Sequence, residues 1–151
     1  MSSTSTTSTT ASSERSRLRS LVLPTGIATA VVSSVFTYLG AHDPGEYISM
    51  IALGLVAAAV VYGWVVPRAL ERDAAPRTAM TMSVIAALVT LPAFWTGLPL
   101  VLGAAGALVG YAGRRAAKGS GLSIAAMLIG VLSVLGYLTI YIVDGIVMGN
   151  L

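Results

Sequence analysis

Two groups of residues carry most of the chemistry this chain could offer. His42-Asp43-Pro44-Gly45-Glu46 places an imidazole and two carboxylates within one short stretch. These are ligand types for a divalent cation, and they are also the two halves of an acid–base pair. Asp-Pro-Gly is equally the mark of a tight polar turn, and a solvated turn is the reading its composition favours. The second group is Asp144, the one acid in the otherwise apolar stretch "YLTIYIVDGIVMGNL". A helix running on to Met148 would carry that carboxylate into a membrane and make it a functional-site candidate by default. A helix ending near Val143 already spans about 33 Å, so Asp144-Gly145 is expected at an interfacial end. His42, Asp43, Glu46 and Asp144 together form a candidate outer-face polar site. No catalytic residue, metal ligand or cofactor is assigned. The chain has no cysteine, which removes thiol nucleophiles, disulfides and thiolate metal sites. Its single histidine excludes imidazole-rich metal or haem centres built within one chain.

A further set of residues is suited to packing. Gly103, Gly106, Gly110 and Gly113 recur at steps of three, four and three. At 100° per residue they fall within an arc of about 80°, one flat stripe along a helix. In lipid, such small residues let helix backbones approach closely. Packing within the chain, against Ala126 and Gly130, is the simplest use of the stripe; a seam with a second copy or a partner subunit is the other. Gly26, Ala30, Ser33, Ser34 and Thr37 likewise share a face. Their hydroxyls can bond carbonyls one turn back or line a polar transport path. No charged residue falls in the interior of the first four apolar runs, which argues against ion-coupled transport.

These positions need elements to hold them, and composition says what kind. Apolar residues make up 56% and charged residues 10% of the chain, with a mean hydropathy of +0.85. A water-soluble domain carries about 25% charged residues. The expected fold class is therefore all-α, an integral membrane bundle, with the lipid bilayer as its first partner. Residues 1–20 read as a Ser/Thr-rich, disordered tail ending in a basic flank, and 21–151 as a single transmembrane domain. The apolar runs are about 21–40, 46–66, 78–95, 98–113 and 121–143, with Pro67 and Pro76 expected to mark helix ends.

Five helices or four depends on residues 78–113. One helix of that length would measure about 54 Å, against a hydrocarbon core of about 30 Å. Thr96-Gly97 followed by Leu98-Pro99 supplies a reversal, with proline at the first turn of the next helix. Charge offers an independent test. With five crossings and a cytoplasmic N-terminus, all nine basic residues fall on the cytoplasmic side. With four, Arg114, Arg115 and Lys118 would face outward, against the positive-inside bias. Five crossings at the plasma membrane, N-terminus inside and C-terminus outside, are expected. The aromatic residues cluster toward predicted helix ends, as interfacial belts do.

The last two runs, "LPLVLGAAGALVGYAGRR" and "GSGLSIAAMLIGVLSVLGYL", joined by a basic loop, resemble the glycine-rich two-helix membrane domain of small actinobacterial proteins of unknown function. The likeness covers residues 83–140. It implies an integral membrane protein and carries over no catalytic residue. The expected role is a structural, accessory or interaction subunit, working as a homo-oligomer or within a larger membrane complex. The alternative is a small oligomeric transporter or pore. An enzyme comes third, since the nucleophile inventory is nearly empty. The basic loops set topology and attract anionic headgroups, and nothing in them calls for nucleic acid.

Overall fold

The computed structural model describes residues 6–40, 44–71, 75–114 and 120–147. Among them the chain is helical, with short turns and no strand. The elements are α1 (Thr6–Gly40), α2 (Pro44–Val60), a π-helical turn (Val61–Val65), α3 (Val66–Glu71), α4 (Ala75–Thr90), a 3₁₀ turn (Phe94–Thr96), α5 (Leu98–Gly113) and α6 (Ser120–Val147). The π turn joins α2 to α3 without a break, so there are five helical rods. Three of them contain stretches long and apolar enough to cross a membrane: Ser20–Tyr38, Tyr47–Glu71 and Ser120–Val147. The other two, α4 and α5, have 16 residues each. That gives about 24 Å apiece, short of the hydrocarbon thickness.

Several boundaries differ from the sequence reading, and most of the differences trace to proline. Pro67, expected to end a helix, is the second residue of α3. A proline there has no N–H for the carbonyl four residues back, and its ring crowds that turn. The chain widens instead: the Val66 N–H bonds the Val61 carbonyl, five residues back. The rod then continues to Glu71 rather than stopping at 66. Pro92 has the opposite effect. With no N–H for the Leu88 carbonyl it interrupts the ladder, so α4 ends at Thr90 instead of running to 95. A last turn is closed by the Ala93 N–H on the Val89 carbonyl at 3.0 Å.

Between Thr90 and Leu98 the chain turns back in a tight, hydrogen-bonded hairpin. The Thr96 N–H and hydroxyl both donate to the Ala93 carbonyl, at 3.1 and 2.7 Å. Thr96 Oγ1 also accepts the Leu98 N–H at 3.3 Å. Gly97 sits at φ 69°, a left-handed conformation that costs glycine nothing. Pro99, in the first turn of α5, holds no position where an N–H is needed. The start and end of α5, 98–113, coincide with the predicted run.

The terminal rods are longer than expected. Residues 6–20 extend α1 as helix where a disordered tail was expected. Adding turns to an existing helix avoids the nucleation step, so Ser, Thr and Arg cost only their modest propensities. Similarly α6 continues through Asp144 to Val147, beyond the expected end at 143.

The tightest packing is among α4, α5 and α6, each of which touches the other two along its length. α1 lies against α2 and α5, and α3 joins the bundle through α5. Where α4, α5 and α6 meet, the core is mostly small residues, including Ala79, Ala86, Val101, Ala105, Val109 and Ala126, while Tyr62, Tyr137 and Tyr141 are large buried members. The large apolar side chains, such as Leu23, Leu88, Leu91, Leu132 and Ile146, point outward. This is the inverse of a water-soluble core, and it fits a protein whose solvent is hydrocarbon.

Candidate functional site

Ser83 of α4 lies at the centre of the tight bundle and is fully buried. Its hydroxyl donates to the Ala126 carbonyl of α6 at 2.7 Å. The room for it comes from glycine on both neighbours. A methyl on Gly106 of α5 would overlap Ser83 Oγ and stand 3.0 Å from the Ser83 nitrogen. One on Gly130 of α6 would lie 2.6 Å from the Gly103 carbonyl oxygen and 2.8 Å from the Ala107 nitrogen. Gly103 and Gly110 therefore face α6, where a methyl on Gly110 would meet the Ser123 oxygen at 2.8 Å. Gly106 faces α4. Gly113 meets Ser123 of α6 and, further off, Pro76 of α4. The glycine stripe thus serves two helix contacts within one chain.

Matching stripes lie on the partner helices. Ala79, Ser83, Ala86 and Thr90 are buried along α4, and Ser123, Ala126, Gly130 and Ser133 along α6. Their steps of three and four repeat the glycine spacing of α5. That period was readable in advance. What it could not show was which stripe meets which.

The face of α1 carrying Gly26, Ala30, Ser33 and Thr37 turns inward against α2, the π turn and the hairpin. Gly26 lies under the Tyr62 ring, where a methyl would come within 2.9 Å of the ring's Cγ. The Tyr62 hydroxyl reaches the Val101 carbonyl of α5 at 3.4 Å, tying α1, the π turn and α5 together. Ser33 fills the space left by Gly97 in the hairpin and approaches Gly54 of α2. Thr29, not singled out in the sequence reading, is buried on the same face and donates back to Thr25 and Gly26 at 2.9 and 3.0 Å. Ser34 is half-buried.

The outer polar groups are less assembled. His42 and Asp43 lie outside the described residues, and Glu46 falls in the first turn of α2. Asp144 is exposed on α6, beside a shallow apolar groove formed with Thr139, Ile140, Val143 and Val147. Counted from Ser120, it stands about 36 Å along the helix axis, beyond one hydrocarbon thickness. One and two turns below it, Tyr141 and Tyr137 pack with Phe36 of α1, the ring centroids 4.9 to 6.2 Å apart. Tyr62, Tyr137 and Tyr141 are buried inside the bundle, so these three rings do not face its surroundings. Tyr38, Trp64, Trp95 and Tyr111 are exposed, as belt residues are.

Several of the buried hydroxyls are bonded within the fold, whereas Ser123 Oγ and the Tyr137 hydroxyl are buried with no hydrogen-bond partner among the described residues. Thr90 and Ser133 donate to carbonyls one turn back at 2.7 and 2.9 Å, as Thr29 does, and Ser83 bonds across helices. Among the described residues no three His, Asp or Glu side chains converge on a metal-sized space. Comparison with family models, with curated proteins and with solved structures returned no match.

Proposed function

We propose that this chain is a small integral membrane protein of the plasma membrane with a structural or accessory role, crossing the bilayer five times with its N-terminus in the cytoplasm and its C-terminus outside. The observation that carries the reading is how the polar and small residues are used. Ser83, Thr90 and Ser133 bond helix carbonyls, and the glycines of α5 and α6 bring backbones into contact. Much of the polar inventory that could build a reaction centre or an ion path thus serves to hold helices together, with the buried Ser123 and Tyr137 hydroxyls the unpartnered exceptions. The exposed apolar faces, Leu23, Ile27, Val31 and Val35 on α1 among them, are left for lipid or a partner subunit. α4 and α5 cross as a short hairpin, their deficit of several ångströms absorbed by local thinning of the bilayer.

The test is the size and company of the protein in native membranes. Crosslinking in the membrane, followed by mild solubilisation and native electrophoresis, is expected to recover a species larger than one chain. A strictly monomeric protein with no copurifying partner overturns the accessory role.

A second reading, a small oligomeric transporter or pore, has one observation in its favour: the buried hydroxyl seam of Thr29, Ser33 and Thr37 on α1. Against it, Thr29 already bonds its own helix and Ser33 fills the gap beside Gly97. Solute flux in reconstituted liposomes, lost on Ser33→Val, would raise this reading above the first.

A further inference from the structure

Two arginines at one end of the bundle are stacked on aromatic rings. The Arg68 guanidinium of α3 lies 4.3 Å from the centre of the Trp64 ring, one helical turn before it. At the end of α5, the Arg114 guanidinium lies 3.9 Å from the centre of the Tyr111 ring, and its Nε donates to the Tyr111 carbonyl at 3.4 Å. Both rings face outward, Trp64 58% and Tyr111 47% exposed. The two pairs belong to helices that pack on each other, with Val66 and Ala69 of α3 in one buried cluster with Val109 of α5.

Stacking uses the flat face of a guanidinium. Its remaining N–H donors lie in the plane and point sideways, in the fork that matches two phosphate oxygens. An aromatic ring beneath the cation fixes that fork and removes water from one side of it, which strengthens its bond to an anion. Below the rings, the outward helix faces are apolar, with Val60, Val56 and Leu53 on α2 exposed. A forked cation on an aromatic shelf above an apolar wall has the layout of a phospholipid: charged phosphate at the rim, glycerol and acyl chains beneath.

We propose that Arg68 on Trp64 and Arg114 on Tyr111 form two headgroup sites for anionic phospholipid of the cytoplasmic leaflet. The proposal rests on the membrane reading above and specifies which lipid the protein gathers around itself. Aromatic and basic residues at a helix end anchor many membrane proteins. Here the shelf geometry makes the contact selective for lipids with net negative charge over zwitterionic ones.

The test uses the full-length protein in vesicles of phosphatidylcholine containing a minority of phosphatidylglycerol, with bound lipid counted by native mass spectrometry. Wild-type protein is expected to retain phosphatidylglycerol above its share in the vesicle. Each arginine contributes about five-fold. Arg68→Gln with Arg114→Gln abolishes the enrichment. Trp64→Leu with Tyr111→Leu keeps both cations and reduces it. Arg77→Gln, at an exposed arginine with no stacked ring among the described residues, reduces it less than loss of either stacked arginine. Equal retention of the two lipids by wild type, or the same enrichment in the double arginine variant, overturns the proposal. Loss of enrichment on adding inorganic phosphate overturns it in favour of a soluble anion. Impermeant labelling at Lys118 on intact cells separates the two levels. Labelling from outside brings down the topology itself. Protection without lipid enrichment brings down only the headgroup sites.

Discussion

Gly110 and Ser83 show which forces hold the helices together. A methyl at Gly110 would stand 2.8 Å from the Ser123 oxygen and 2.9 Å from the Met127 nitrogen, both backbone atoms that cannot swing aside. Gly110→Ala is therefore expected to cost about 1–3 kcal/mol, read as a lower unfolding midpoint in mild detergent. Gly121→Ala is the control. Its methyl points into open space, so the midpoint should hold to within about 0.5 kcal/mol. The Ser83 hydrogen bond is the weaker partner. Interhelical bonds in membranes average about 0.6 kcal/mol, so Ser83→Ala should barely register. Ser83→Val, which keeps no hydroxyl and adds bulk between Gly106 and Gly130, should cost several times more. If Ser83→Ala proves as damaging as Gly110→Ala, polar bonding rather than close approach holds these helices.

At the scale of the element, the hairpin between α4 and α5 has two separable requirements. Gly97 has φ 69°, and its missing side chain leaves the space that Ser33 occupies. Gly97→Ala should lose about 1–2 kcal/mol to the backbone alone, and more to overlap with Ser33. Pairing it with Ser33→Gly should return the overlap part and leave the backbone part, a coupling that a double-mutant cycle of thermal unfolding measures. A double variant no better than Gly97→Ala would mean that Ser33 and Gly97 do not share the site. α6 offers a milder test. Asp144 is exposed and about 36 Å along the axis from Ser120, so Asp144→Asn should shift the midpoint by less than about 0.5 kcal/mol. A gain of more than about 1 kcal/mol would place the carboxylate in the hydrocarbon.

Across the whole molecule, the proposed topology makes the sharpest prediction. With the α4–α5 hairpin as a double crossing, Lys118 lies in the cytoplasm with the other eight basic residues. A cysteine placed at Lys118 in this cysteine-free chain should resist an impermeant thiol reagent on intact cells and react after permeabilisation. Reaction on intact cells would replace the five-crossing arrangement with four. The charge asymmetry favours the hairpin as a crossing, while α4 and α5 at about 24 Å each are only just long enough for it. The proposed topology takes the positive-inside bias to outweigh the cost of a locally thinned bilayer, and the labelling tests that balance.

Sequence alone determined the all-helical class, the apolar runs and the bounds of α5, because each follows from local chemistry. Hydropathy needs only composition, and Gly97 with Pro99 specifies a reversal whatever surrounds it. The glycine stripe on α5 was legible for the same reason: it is a matter of spacing within one helix. Only the tertiary structure decided the rest. Pro67 was equally able to end a helix or widen one, and its resolution into a π turn puts Tyr62 against Gly26 of α1 and Val101 of α5. Tyr137 and Tyr141 have the same amphipathic rings as Trp64 and Tyr111, yet they are buried because Phe36 of α1 packs beside them. In lipid, where hydrophobicity does not sort inside from outside, the fit of small residues to large ones across helices does. That fit belongs to pairs of helices rather than to any single run of residues.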